Sequence, residues 1–262
     1  MADKGMGFSF LEYCNSNLSN TNEYNIARVL LKHIHELDAY SLDDISEEAN
    51  ISTASVSRLI KKMGFASYQE FRNDLIAFKH DVMIAREVTC TRRFFTKTNH
   101  QIVENLYDDA MNNLQQTMLG INMDQLDKIV KMLKESKSVT FVGDEHALSI
   151  FYMLQIDLVI NDIPAYLFKQ KDVMQAHSSF LEEGTTVVFL DVFNRFLGKH
   201  KRAILKEIRE KQVKTIAFVQ EETREYQDFD LVYQYGIEGS SNDGYYSLFL
   251  MNNIITSLLY KR

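Results

Sequence analysis

Apolar positions in the first hundred residues recur at helical spacing, and no strand pattern interrupts them. In "EYNIARVLLKHIHEL", Ile26, Val29, Leu30, Ile34 and Leu37 fall on one face, behind the cap residues Thr21 and Asn22. In "SLDDISEEAN", Ser41 suits a helix cap, Asp43 and Asp44 suit the positive end, and Leu42, Ile45 and Ala49 mark the buried side. A third helix is predicted in "ISTASVSRLIKKMGF", from Ile51 to Phe65, and a fourth from about Tyr68 through "EFRNDLIAFKHDVMIAREV". The pattern fades in "TCTRRFFTKTNH", which reads as a linker near Thr89 to Asn99.

Two more helical segments follow, "QIVENLYDDAMNNLQQTM" and "DQLDKIVKMLKE", and then the rhythm changes. The short apolar runs "SVTFVG", "PAYLF", "TTVVFL", "KTIAFV" and "DLVYQY" alternate with the helical stretches "LSIFYMLQIDLVI", "VMQAHSSFL" and "HKRAILKEIREK". Alternation of this kind implies parallel crossovers and a sheet covered by helices on both faces. The chain closes with "GYYSLFLMNNIITSLLY", apolar nearly all round, as in a buried or interface helix. The expected organisation is an all-α domain over residues 1–88, a linker and connecting helix over 89–120, and an α/β domain over 121–262.

Composition narrows the classes. With 262 residues, 45% hydrophobic and 25% charged, the chain has the balance of a folded soluble protein. Its start lacks the layout of a secretion signal and no charge-free apolar run reaches membrane-span length, so the expected location is the cytosol, with no membrane partner. Cys14 and Cys90 have no paired spacing and no histidine cluster beside them, which supports neither a disulfide framework nor a structural metal; no cofactor is implied. The eleven methionines are scattered and read as core filling. A net charge of -7 argues against indiscriminate nucleic-acid binding, yet binding depends on where charge sits.

Charge is arranged otherwise between Ser52 and Arg72, where four basic residues face one acidic. Only "NIS" separates the second and third helices, the layout of a helix-turn-helix. Asn50 tolerates a left-handed backbone, Ile51 plugs the angle between helices and Ser52 caps the next one. At 100° per residue, Val56, Leu59, Ile60 and Met63 gather inward, while Ala54, Ser57, Arg58 and Lys61 gather outward. Small side chains first and basic ones later suit a major groove, because the helix approaches base edges closely while Arg and Lys reach phosphates or guanine. The candidate DNA-binding residues are Ser52, Thr53, Ala54, Ser57, Arg58, Lys61 and Lys62, with Arg86, Arg92, Arg93 and Lys97 as further backbone contacts. Spacing alone leaves open a small helical bundle that never touches DNA.

"SLDDISEEANISTASVSRLIKKMGFASYQEFRNDL" resembles the helix-turn-helix of RpiR-type (MurR/RpiR) bacterial transcription regulators, at Ile51-Ser52, Ser55-Val56, Arg58, Met63-Gly64-Phe65, Tyr68 and Phe71. Ser46 stands where that family usually has Ala, and Leu59 where it has Phe. The resemblance implies double-stranded operator DNA as partner, and a C-terminal sugar isomerase (SIS) domain with a five-stranded parallel sheet that binds phosphosugars and dimerises. The predicted strands and helices from about Leu126 to Tyr260 fit that domain.

The ligand loops depart from the SIS pattern. Its usual "GxGxS" turn reads "GDEHA" here, keeping Gly143 but with Glu145 at the second Gly and Ala147 at the Ser. Its "SxSGxT" loop reads "DVFNRF", with Asp191 and Phe193 at the Ser positions, Asn194 at the Gly and Phe196 at the Thr. Hydroxyls and N–H groups that would cradle a phosphate give way to carboxylates and aromatics. Like unit charges about 4 Å apart repel by roughly 4 kcal/mol at an effective dielectric of 20, about a thousandfold in affinity. Arg195 offsets part of this. Candidate effector residues at the strand ends are Gly143, Glu145, His146, Asp172, His177, Asp191, Asn194 and Arg195, with Glu238 to Asp243 nearby. A small-molecule effector would therefore not be a phosphosugar in the usual mode.

The expected function is a non-enzymatic transcription regulator that binds operator DNA as a homodimer or a pair of dimers. The alternatives are a sugar-phosphate isomerase with a helical extension, or an interaction module without ligands. Enediol chemistry needs a base beside an intact phosphate cradle, and the positive face of the 52–63 helix suits DNA.

Overall fold

The computed structural model describes residues 10–11, 13–15, 21–169, 181–191, 206–208, 210–220, 226–236 and 243–261. The chain divides into two compact units, Met1–Thr96 and Lys97–Arg262.

The first unit is helical: α1 Thr21–Lys32, α2 Leu42–Ala49, α3 Thr53–Lys62 and α4 Tyr68–Arg86. Its core gathers the expected apolar faces, with Ile26 and Leu30 of α1, Ile45 of α2, and Val56, Leu59 and Ile60 of α3 all buried. Each such side chain contributes about 1.5–3 kcal/mol. Phe71 of α4 is the hub, meeting Phe65 edge-on at 5.1 Å and Phe10 at 5.4 Å between ring centroids. Helix α4 runs directly into a π-type turn, Glu87–Arg92, where the sequence pattern predicts an irregular linker. Between Glu87 and Thr98 there is neither Gly nor Pro, so nothing local ends the helix when the apolar pattern fades.

The second unit contains α5 Asn99–Leu119, α6 Met123–Lys134, β1 Ser138–Gly143, α7 Glu145–Ile160, β2 Ala165–Lys169, β3 Thr185–Asp191, β4 Lys214–Val219, β5 Leu231–Gln234 and α8 Asp243–Leu259. Its five strands are all parallel, in the order β2-β1-β3-β4-β5. Alternate residues supply two cores, as period-two pleating requires. Phe141, Val188, Leu190, Ile216 and Phe218 join α6, α7 and α8 on one face, and Val142, Val187, Phe189, Ala217 and Val219 pack on the other. All seven residues of β3 are buried, the sign of a strand covered on both faces. Helix α5 packs on α8, where Thr117 donates to Ser247 Oγ at 2.7 Å and Ser247 donates to Asn113. Strand order reverses between β1 and β3, and such a switch point opens a crevice outside the carboxyl ends of the strands. No helix among the described residues is long and apolar enough to cross a membrane.

Candidate nucleic-acid interface and effector crevice

Local chemistry fixes the helix-turn-helix. The Ser41 hydroxyl accepts from the Asp44 N–H at 3.1 Å while the Asp44 carboxylate accepts from the Ser41 N–H at 2.8 Å, so α2 starts in a capping box. It ends at Asn50, whose φ of 55° turns the chain left-handed. Ser52 then caps α3, accepting from the Ser55 N–H at 3.3 Å. At the far end Gly64 has φ +95° with open space where a Cβ would stand, so conformation and not room demands glycine. The Phe65 N–H closes the cap on the Ile60 carbonyl at 3.2 Å and brings the Phe65 ring into the core.

Helix α3 is thereby held by its Val56, Leu59 and Ile60 side, and Ala54, Arg58 and Lys61 are exposed on the other, with Thr53 and Ser57 half-buried. Arg58 lies back along its own helix, donating to Ser55 Oγ at 3.0 Å. Lys62 differs from its neighbour: its ammonium lies 2.9 and 3.0 Å from the two Glu23 carboxylate oxygens on α1. Glu23 also accepts from the Tyr13 hydroxyl, and that bond, followed by Lys62, holds its carboxyl below the usual range. No sequence pattern announces this pair, because its members lie 39 residues apart. Behind the domain, Glu48 of α2 binds Lys32 at 2.6 Å, the Tyr40 hydroxyl at 2.6 Å and His33 at 2.7 Å, which ties α2 to α1. Of the two cysteines, Cys14 is half-buried, its thiol pushed up to about 11 by burial, and the Cys90 side chain lies outside the described residues.

At the crevice, Gly143 ends β1 so close to β3 that a Cβ would stand 3.1 Å from the Leu190 Cβ and 3.2 Å from its carbonyl oxygen. Asp144 caps α7, accepting from the Ala147 N–H at 2.9 Å, and receives the Tyr245 hydroxyl of α8 at 3.2 Å. Glu145 pairs with Lys169 at the end of β2, 3.6 Å away. His146 is exposed, its ring 5.6 Å from that of Tyr245. Asp191 ends β3, is 4% exposed, and accepts from the Tyr226 hydroxyl. Gly143, Glu145 and Asp191 thus share the rim at the β1/β3 switch point. Asp172, His177, Asn194 and Arg195, with Glu238 to Asn242, lie outside the described residues. Sequence reasoning missed Asp144, Lys169, Tyr226, Tyr235 and Tyr245, which stand on separate elements. Groups of His, Cys, Asp and Glu able to hold a metal are absent among the described residues.

Comparison with known proteins divides along the same line. Residues 9–78 match the model of the helix-turn-helix domain of the rpiR family. A 53-residue segment is 34% identical to the HTH-type transcriptional regulator GlvR of Bacillus subtilis, covering 20% of this chain and 21% of that protein. The chain therefore spans only about a fifth of that curated relative. The fold resembles that of the Vibrio vulnificus NanR protein, solved in complex with ManNAc-6P, with a TM-score of 0.51 at 16% identity over 95% of this chain and 90% of that one. It also resembles the sugar isomerase domain of an RpiR transcription factor from Sphaerobacter thermophilus, with a TM-score of 0.51 at 15% identity over 61% of this chain and 89% of that one. Residues 9–78 are thus a helix-turn-helix domain of the rpiR family, joined in one chain to an α/β unit with the fold of a sugar isomerase domain.

Proposed function

We propose that this chain is a DNA-binding transcription regulator of the RpiR type, working in the cytosol without catalytic activity of its own. The observation that carries the reading is the two-sided α3: Val56, Leu59 and Ile60 are locked in the core while Ala54, Arg58 and Lys61 stand exposed in the order a major groove accepts. Ser52 and Thr53 bring the helix N-terminus, with its free N–H groups, to the phosphate backbone. Lys62 contributes less than Lys61, because Glu23 already holds its charge.

Pairing through the α/β unit supplies the two-fold symmetry of an operator, with recognition helices about 34 Å apart. Apolar side chains exposed on α8 and on α7, which pack together, support a homodimer: Tyr246 and Phe249 on α8, and Tyr152, Met153, Val159 and Ile160 on α7. The switch-point crevice is where a small-molecule effector acts, by binding the DNA-competent and incompetent arrangements with different affinity. Glu145, Ala147 and Asp191 stand at positions where a phosphate cradle would carry small or hydroxyl residues, which speaks against isomerase chemistry. Turnover of any phosphosugar by the purified chain would overturn the non-enzymatic reading. For the regulator reading, fluorescence anisotropy on a candidate operator is expected to give tight binding that falls steeply with salt, and equal affinity for scrambled DNA would contradict it.

A further inference from the structure

We propose that α5 pairs antiparallel with α5 of a second copy of this chain and so lies at the two-fold axis of the dimer. The inference rests on the homodimer reading above and adds the element at the axis and the direction in which it pairs. Helix α5 starts in a capping box between Thr98 and Gln101 and ends at Gly120. One of its sides is used inside the unit, where Asn113 and Thr117 are buried and bonded to Ser247 of α8. A second side carries large apolar residues outward. At 100° per residue, Val103, Tyr107, Met111, Leu114 and Met118 fall within an arc of about 80°. Val103 and Tyr107 are 65% and 63% exposed, Met111 and Met118 47% and 56%, and Leu114 is half-buried. A contiguous apolar stripe along a capped helix marks an interaction surface.

The order of residues selects a second copy of the same helix. An isologous contact needs a patch that meets itself about a two-fold axis. With the axis between Ala110 and Met111, antiparallel pairing sets Val103 against Met118 of the partner subunit and Tyr107 against Leu114 of the partner subunit. Ala110, the smallest residue on this side, lets the two backbones approach at the centre. Charge fixes the direction. Glu104, Asp108 and Asp109 all lie in the first half of α5, residues 110–119 carry no charge, and the helix has no lysine or arginine. Glu104 has only His100 one turn back, at 3.2 Å, as an ion-pair partner on its own helix. Parallel pairing would stack carboxylate on carboxylate at positions 104 and 108, which repels. Antiparallel pairing instead sets Glu104 and Asp108, which flank the stripe, against the flank that holds Gln115 of the partner subunit. Opposed helix dipoles favour the same direction.

Five side chains on one helix fall short of the roughly 1,200 Å² that a stable interface buries. Helix α8 supplies the remainder, since the exposed Tyr246 is the neighbour of Ser247, to which α5 is bonded, and Phe249 is exposed one turn on. The α5 stripe and the exposed side of α8 act as one interface, and loss of either part dissolves the pair.

Sedimentation velocity on the full chain over a dilution series tests this. Gln115→Lys is expected to tighten the dimer by about threefold or more, because two symmetry-related ammonium groups each gain the Glu104 and Asp108 carboxylates across the axis. Gln115→Glu is expected to loosen it by about the same factor. Residues three and four positions from Gln115 are uncharged, so a change in its charge reports on the partner and not on its own helix. Met111→Asp brings two carboxylates together near the axis and is expected to give a monomer with the far-UV circular dichroism of wild type, since Met111 is exposed. Loosening by both Gln115 variants would mean a parallel pair, and no response to any of the three variants would place the interface away from α5; either result overturns the inference. The joint Tyr246→Asp and Phe249→Asp variant separates the two readings. A dimer that it dissolves while the α5 variants leave it unchanged sinks this inference alone, and a wild-type chain that is monomeric at every concentration sinks the homodimer as well.

Discussion

Lys61 and Lys62 are adjacent, have the same side chain and are both exposed, yet the structure predicts opposite consequences for their removal. Lys61 lies on the outward face of α3, whereas Lys62 is paired with Glu23 at 2.9 Å. A lysine that neutralises one phosphate contributes about 0.9 to the slope of log K against log salt, so between 50 and 200 mM salt it accounts for about a 3.5-fold change in affinity. Lys61→Ala should lower the slope by about 0.9 and leave folding stability within about 0.5 kcal/mol of wild type. Lys62→Ala should leave the slope nearly unchanged and cost at most about 1 kcal/mol of stability, since the Lys62 side chain is 57% exposed and Glu23 keeps Tyr13 as a partner. The assay is anisotropy on one operator duplex across a salt series, with thermal melts of each variant. Equal slopes for both variants, or unfolding of Lys61→Ala, would refute the assignment of the two faces of α3.

Gly64→Ala places a Cβ at φ +95°, and strain without any clash is expected to cost about 1–2 kcal/mol, seen as a lower midpoint in the thermal unfolding of the first unit; an unchanged midpoint would mean the cap relaxes. Lys32 first, then Tyr40, hold Glu48 down to about 2 from a usual 4.5, so its contribution is present above pH 4.5 and lost as pH falls towards 2. Glu48→Gln should therefore flatten the acid limb of a stability–pH curve in that window, and a curve identical to wild type would contradict the linkage. Joint Tyr246→Asp and Phe249→Asp should yield a folded monomer by light scattering with weakened operator affinity, because both side chains are more than half exposed on α8; a persisting dimer would locate the interface elsewhere.

What could be read in the sequence was local. Ser41, Asn50, Ser52 and Gly64 act within a few residues of themselves, so the two short helices and their turn were legible, as were Val56, Leu59 and Ile60 as the inner face. The five apolar runs located the strands to within about a residue, because the side chains that the two cores take from each strand come in one short consecutive run. Contacts that close over long separations were not legible. Lys62 looks like Lys61 until α1 delivers Glu23, and Tyr226 and Tyr245 meet Asp191 and Asp144 only after the sheet has stacked its strand ends. Fading periodicity after Val88 suggests a linker, but periodicity reports burial of a face and not the helix itself, and the backbone stays helical in the π-type turn at Glu87–Arg92.

The most direct test of the central claim is a genome-wide pull-down of DNA bound to the full chain, followed by a salt titration on the best site. The account predicts enrichment of one palindromic motif whose half-sites lie about one helical turn apart, with steep salt dependence. Recovery of random fragments without a shared motif would contradict it.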